Sequence, residues 1–141
     1  MIRTSATDVA EAARGLGDNV NWSVLGKGRT AAHQIAECAI MTAGIMGILE
    51  TGKEPEFDYA AFMEKVNALA EAPDVGLSAL DVNTEALCKV VASMTAEQLA
   101  TEIPTVWGPP GGTRSLKSFA LLVQWNNTYH QGQIVFISTL L

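Results

Sequence analysis

Residues 115–141 read SLKSFALLVQWNNTYHQGQIVFISTLL, a stretch without proline that predicts one long terminal helix. At about 1.5 Å per residue this helix is about 40 Å long, enough to span a small domain. Positions spaced alternately three and four residues apart lie on one face of a helix. On the face expected to point inward they are Leu116, Phe119, Val123, Asn126, His130, Ile134, Ile137 and Leu141. The terminal helix therefore predicts an all-α bundle with this face in its core.

Two polar residues, Asn126 and His130, interrupt that apolar face one helical turn apart. Side chains at i and i+4 converge on one point of a helix surface. A buried amide or imidazole without a partner costs about 1 to 3 kcal/mol. Protein groups, water or a metal ion must therefore satisfy these two side chains.

A second helix, predicted over 30–50, carries a similar interruption. Glu37 is its only ionisable side chain other than a thiol between positions 35 and 49, and His33 lies one turn earlier. A lone buried carboxylate is neutral or paired. If this helix packs against the terminal one, the two helices form a polar pocket from His33, Glu37, Asn126 and His130.

The nitrogen and oxygen donors of this pocket suit a divalent transition metal such as zinc, nickel or iron. The alternative is a self-satisfied core cluster, in which Glu37 pairs with His130 and Asn126 bridges them. Both interpretations require the same contact between the second and the terminal helix.

Three shorter helices are predicted from apolar residues at helical spacing, over 8–16, 59–71 and 83–93. Ser5 or Thr7 is the candidate N-cap of the first, and Pro73 is expected to close the second. In the third, Glu85 and Lys89 are expected to form an outward i,i+4 pair.

In the region before the terminal helix, the sequence predicts a short helical turn, a strand-like stretch and a loop. Thr95 and Gln98 fit a capping box, which predicts one short extra helical turn. Strand character is confined to 102–107, and the Gly- and Pro-rich segment 105–113 is expected to be a loop. No linker or repeat divides the sequence, so residues 1–141 are expected to form one domain.

Composition excludes several classes of partner. The chain has 9 Lys and Arg against 15 Asp and Glu, a net charge of −6, and nucleic-acid binding requires clustered cations. The apolar run 38–49 is too short to cross a bilayer, which takes about 20 residues, and no signal-peptide block is found at the N-terminus. Cys38 and Cys88 lack zinc-knuckle or disulfide spacing and are expected to fill the core of a protein in a reducing cytoplasm.

Several motifs along nearly the whole chain are shared with one known family. They are Trp22, Gly28-Arg29-Thr30, the apolar second helix, the capping-box turn, Trp107 with its Gly/Pro loop and, most specifically, YHQGQI at 129–134. On these residues the chain resembles the DinB-like proteins, a bacterial damage-inducible superfamily that includes mycothiol- and bacillithiol-dependent enzymes. The resemblance implies a four-helix bundle of up-down-down-up topology, often a homodimer.

The resemblance also implies a metal held by three histidines, one on the second helix and two spaced i,i+4 on the last. His130 occupies the final ligand position in this sequence, Asn126 the position one turn earlier, and Glu37 the position on the second helix. His33 lies one turn before Glu37. The triad is therefore degenerate, because a carboxylate and an amide stand in place of two imidazoles. A site with these ligands binds zinc or nickel more weakly and accepts harder ions more readily.

Two functions follow from these observations. In the first, a divalent metal at Glu37, Asn126 and His130 activates water or a thiolate toward a small electrophilic substrate, as in a metal-dependent hydrolase or thiol transferase, with His33 or Tyr129 as a proton carrier. In the second, the chain is a non-catalytic scaffold or a small-ligand-binding homodimer with a self-satisfied polar cluster. The sequence assigns no catalytic residue.

Overall fold

The fold is a bundle of four long helices, described by a computed structural model over residues 1–106 and 109–141. The helices are α1 (Ile2–Arg14), α2 (Ala31–Thr51), α3 (Tyr59–Ala70), α4 (Pro73–Ser93), α5 (Ala96–Ala100) and α6 (Leu116–Ser138). Two short strands, β1 (Glu102–Pro104) and β2 (Thr113–Ser115), pair antiparallel before α6. The predicted all-α fold class is confirmed.

The four long helices pack in a ring. Helix α2 lies against α4 and α6, and α1 lies against α6 and α4. Helix α3 packs mainly against α2, outside the ring. Two 3₁₀ turns, Gly17–Asn21 and Val24–Gly26, connect α1 to α2. This arrangement brings the second and the terminal helix into contact, as the proposed polar pocket requires.

The inward face of α6 is apolar at both ends and polar in the middle. Leu116, Phe119 and Val123 belong to one buried cluster with the C-terminal half of α2. Ile134 and Ile137 belong to another, with α1 and the N-terminal half of α2. The buried polar residues of α6, which are Asn126, Asn127 and His130, lie between these two clusters along the helix. The predicted inward stripe is confirmed except at Leu141, which is exposed beyond the helix end.

Where a helix begins with a side-chain cap, its observed start agrees with the start predicted from the sequence. Thr30 accepts a hydrogen bond from the His33 amide at the start of α2, and Gly52 closes this helix in the left-handed conformation. Thr95 and Gln98 form the complete capping box at α5. Ser115 caps α6 by accepting a bond from the Ser118 amide.

Two helix starts were predicted too late. Helix α1 begins at Ile2 and not at residue 8, so Ser5 is a buried interior residue whose hydroxyl donates to the Ile2 carbonyl. Helix α4 begins at Pro73 and not at residue 83. Proline is favourable at the first helical position, so Pro73, which was expected only to close α3, also opens α4. Gly76, in the first turns of α4, is buried and faces Ile35 of α2.

Two smaller predictions differ from the structure. The second strand, β2, was not predicted, because only 102–107 had strand character. Glu85 forms a bidentate pair with Arg3 of α1, which bridges α4 to α1. The predicted pairing of Glu85 with Lys89 is therefore replaced by a contact between helices.

Helix α2 has the length and hydropathy of a membrane-spanning segment. Within the bundle, however, 56% of its most apolar window is buried against other parts of the chain. This burial is what a core helix requires, and it explains why α2 is apolar on most of its faces.

Candidate functional site

His130 is the centre of the polar layer between α2 and α6. Its side chain is almost fully buried, and Nε2 lies 3.1 Å from Oε1 of Glu37. On the other side of the ring, Nδ1 lies 2.8 Å from Oε1 of Gln133 and 3.3 Å from Oε1 of Gln34. Both ring nitrogens therefore have partners within the protein.

Glu37 joins His130 to Arg29. Its Oε2 accepts a hydrogen bond from Nη2 of Arg29, which comes from the loop before α2. Burial alone would raise the pKa of Glu37, but hydrogen bonds from His130 and Arg29 outweigh burial and hold the pKa below its usual value. Glu37 is thus an ionised carboxylate at neutral pH. An ionised carboxylate only accepts, so Nε2 of His130 carries a proton and donates it.

The two other predicted site residues have different partners. Asn126 is buried, and its Nδ2 lies 3.7 Å from the Cys38 sulfur, a weak contact. The Nδ1 atom of His33 lies 2.7 Å from the Thr30 hydroxyl. Burial, followed by the positive charge of Arg29, lowers the pKa of His33. The structure therefore brings Glu37 and His130 together, while Asn126 and His33 bond elsewhere.

Three site residues were not predicted from the sequence. Gln133 lies one turn after His130, so the i,i+3 relation was a signal that could have found it. Gln34 is a buried amide beside His33 near the start of the mostly apolar helix α2, which is also a recognisable anomaly. Arg29 lies outside any helix, and helical spacing does not indicate where its side chain points.

A neighbouring buried amide, Asn127, was also not predicted. Its Nδ2 donates to the Ser5 hydroxyl of α1 at 3.4 Å. Its Oδ1 has no hydrogen-bond partner within the described ranges 1–106 and 109–141. Asn127 therefore extends the polar layer of α6 toward α1.

Cys38 lies next to the site but is unsuited to nucleophilic attack. Burial, followed by the negative charge of Glu37, raises the pKa of its thiol. A thiol with a raised pKa stays neutral, and the thiolate is the reactive form. Cys38 is therefore a core residue, as predicted, whereas Cys88 is half-buried.

An open cleft adjoins the polar cluster. It has a volume of about 580 Å³ and lies between the loop before α2 and the C-terminal half of α6. Arg29, Gln34 and Gln133 of the cluster line it, together with the apolar surfaces of Val24, Tyr129 and Phe136. Its size falls in the range of about 300 to 1,000 Å³ that is typical of small-molecule sites.

These donors do not fit a divalent metal ion as they are arranged. In the part of the chain that the structure describes, no three His, Cys, Asp or Glu side chains come together as a metal-binding group. The lone pair of His130 Nε2 is occupied by the proton donated to Glu37. The guanidinium of Arg29 also lies against Oε2 of Glu37, and its positive charge would repel a metal cation there.

The bundle is similar to two solved structures. One is the crystal structure of the mycothiol-dependent maleylpyruvate isomerase, with a TM-score of 0.72 and 18% sequence identity over 94% of this chain. The other is a histidine-to-alanine mutant of the same enzyme, with a TM-score of 0.73 and 18% identity over 94% of this chain. The chain thus shares its helical-bundle fold with this enzyme over most of its length. The predicted DinB-like bundle type is thus confirmed.

The likeness covers part of the solved enzyme. The chain spans 57% of the length of each solved chain. No family model matches the sequence, and no curated protein matches it. At this identity the likeness shows the fold alone.

Proposed function

We propose that this chain is a DinB-type scaffold that binds a small organic acid in the cleft beside Arg29, without using a metal ion. The observation that carries the proposal is the closed polar cluster. Both nitrogens of His130 and both carboxylate oxygens of Glu37 already have protein partners. The cluster therefore supports a wall of the cleft and leaves ligand binding to the groups that face it.

Arg29 supports the choice of an acid. Its side chain is 44% exposed, against 17% for that of Glu37, and it lines the cleft. A guanidinium has five N–H donors, and Glu37 engages only one of its nitrogen atoms. The remaining donors can bind a carboxylate, while Tyr129 and Phe136 cover an apolar body.

Phenylacetate is a suitable probe, because it joins a carboxylate to one aromatic ring. We expect it to raise the melting temperature of the wild-type protein, and Arg29→Gln to weaken binding about tenfold, as for a lost charge-assisted hydrogen bond. Arg14→Gln is the matched control, since Arg14 does not line this cleft. Equal loss of affinity in both variants, or equal binding of the neutral 2-phenylethanol, would contradict the proposal.

A metal-dependent hydrolase or thiol transferase is the second candidate. It is favoured by the pairing of Glu37 with His130 at the matching positions of the DinB-like triad, and by the thiol in the name of the similar enzyme. Under this candidate, Glu37, Asn126, His130 and His33 would rearrange into a ligand set for zinc, nickel or iron.

Metal analysis separates the two candidates. Tag-free protein is exposed to each metal, dialysed and measured by elemental analysis. We expect only traces, because the His130 lone pair and the Glu37 oxygens are engaged. Near-stoichiometric metal that His130→Ala abolishes would favour the enzyme. A cytoplasmic location and a small-molecule substrate remain predictions under both candidates.

A further inference from the structure

A second cavity lies on the opposite half of α2, remote in sequence from the Arg29 cleft. It has a volume of about 360 Å³, is open to solvent on one side, and is lined by the C-terminal half of α2, the segment 54–58 and α3. The residues that line it include none of those that line the Arg29 cleft. An inference about this cavity is therefore independent of the proposed function.

The floor of this cavity is apolar. Ile45 and Ile48 of α2 are buried beneath it, and Phe62 of α3 forms a side wall. Gly44 also lines the cavity, and a Cβ added at this position would meet no atom within 4 Å. The missing side chain of Gly44 thus keeps the floor open, so that the cavity can hold a compact apolar body.

The rim of the cavity is acidic. Glu54, Glu56 and Asp58 line it, against a single cation, Lys65. One carboxylate oxygen of Glu54 accepts the Val106 amide at 3.0 Å, and one of Asp58 accepts the Ala61 amide at 3.0 Å. These bonds fix two negative charges at the rim. The acidic segment 54–58, which connects α2 to α3, is thus one wall of the cavity.

Aromatic rings lie beside these carboxylates. The rings of Phe57 and Phe62 are 5.5 Å apart, and those of Phe57 and Tyr59 are 6.4 Å apart. The faces of aromatic rings attract cations. The acidic rim therefore favours a cationic group, which the Phe57 and Phe62 rings that line the cavity can contact, above a floor that favours an apolar body.

From this charge complementarity we propose that the cavity between α2 and α3 binds a small organic cation, an amine or quaternary ammonium with a compact apolar body. The ammonium lies at the rim of Glu54, Glu56 and Asp58, and the apolar body covers Ile45 and Ile48. The net charge of the whole chain, −6, favours the same ligands at long range.

Three probes with one aromatic body test the proposal: 2-phenylethylammonium, 2-phenylethanol and phenylacetate. We expect the ammonium to bind at least about tenfold more tightly than the alcohol, and its affinity to fall as salt is added. Methyl NMR of the wild-type protein should place the shifts at Ile45 and Ile48. Equal binding of ammonium and alcohol, shifts confined to other methyl groups, or no ammonium binding below about 5 mM would overturn the proposal.

Two pairs of variants locate the site. Gly44→Leu fills the cavity and should abolish ammonium binding, whereas Gly47→Leu, on the same helix but not lining the cavity, should retain it. Leucine favours a helix over glycine, so neither change is expected to lower stability through the backbone. Unchanged affinity in Gly44→Leu would contradict the proposal.

The second pair tests the rim and does not depend on how Gly44→Leu folds. Glu56→Gln should weaken ammonium binding about threefold, as expected for one exposed charge, and Glu64→Gln on the outer side of α3 should not. Phenylacetate binding at the Arg29 cleft should be unchanged in all four variants. A failure at this cavity and a failure of the proposed function are thus distinguishable. Equal effects of the two glutamate changes would overturn the assignment of the rim.

Discussion

At the scale of single residues, Glu37 is a partly buried charge held by two partners. It is half-buried, and its two oxygens bond to His130 and Arg29. Hydrogen bonds to charged groups are stronger than neutral ones, and breaking a partly buried pair leaves the remaining charges without a partner. The stability of the α2–α6 contact therefore depends on the ionisation of this carboxylate.

Glu37→Gln should lower the free energy of unfolding by about 1 to 2 kcal/mol at pH 7, because the amide keeps the shape but loses the ion pair with Arg29 and the charge that strengthens the hydrogen bond from His130. Urea unfolding measures this change. The pKa of Glu37 is lowered by folding, so its contribution is complete above the ordinary carboxyl pKa of about 4.3 and is lost as pH falls through the lowered value. The difference between wild type and variant should therefore shrink on acidification.

Glu85→Gln is the control for this prediction. Glu85 also has a pKa lowered by its pairing, with Arg3, but this pair is exposed on the surface. Exposed pairs are screened by solvent and contribute little. A loss in Glu85→Gln as large as that in Glu37→Gln would show that burial of the cluster does not matter.

The contact of Glu37 with His130 could be predicted from the sequence, whereas the full cluster could not. When two apolar helices pack together, a polar residue on the inward face of one has few possible hydrogen-bond partners other than the polar residue on the inward face of the other. Asn126 shares that face, but it bonds to the Cys38 sulfur because a buried donor takes the acceptor nearest to it. Arg29 comes from a loop, where periodicity carries no information about direction.

At the scale of helices, the helix starts that could be predicted have a side-chain N-cap, and those that were missed have none. Helices α2, α5 and α6 begin with a side-chain cap at Thr30, Thr95 and Ser115, and their starts were predicted within a residue or two. Helices α1 and α4 have no side-chain cap hydrogen bond. Their starts were missed because tertiary packing, and not a local signal, determines them.

Thr30→Ala should lower the free energy of unfolding by about 1 kcal/mol, as for a lost N-cap. The Thr30 hydroxyl accepts the His33 amide and contacts the His33 ring, so both lose a partner. Thr51→Ala, at the opposite end of α2, should cost less in the same urea titration. The Thr51 hydroxyl donates to the Gly47 carbonyl and accepts from the Lys53 amide, but it is exposed, so water can replace both partners. Similar losses at both ends would refute a specific role of the cap.

At the scale of the whole molecule, the outer face of α6 is apolar and uncovered. Its exposed large side chains away from the Arg29 cleft include Leu121, Trp125 and Val135. From residue 118 to the end of the helix there is no Asp, Glu, Lys or Arg. Two copies of an acidic chain repel each other least through such a neutral face. We therefore expect the homodimer predicted from the sequence to form here.

Trp125→Glu should convert that dimer to a monomer, as measured by sedimentation velocity at micromolar concentration. A carboxylate in the centre of an apolar interface has no partner and opposes association. Val82→Glu, which changes an exposed apolar residue on α4, should leave the dimer intact. A wild-type monomer, or a dimer unaffected by Trp125→Glu, would rule out this interface.

The pairing of α1 with α6 also has a consequence for how the chain folds as it is made. The first and last helices are principal partners, although about a hundred residues separate them. At about 5 to 20 residues per second, the ribosome takes about 5 to 20 s to make the intervening chain. During that time Val9 and its buried neighbours on α1 have no α6 to cover them. We therefore expect the apolar face of α1 to stay uncovered by α6 until that helix has been made.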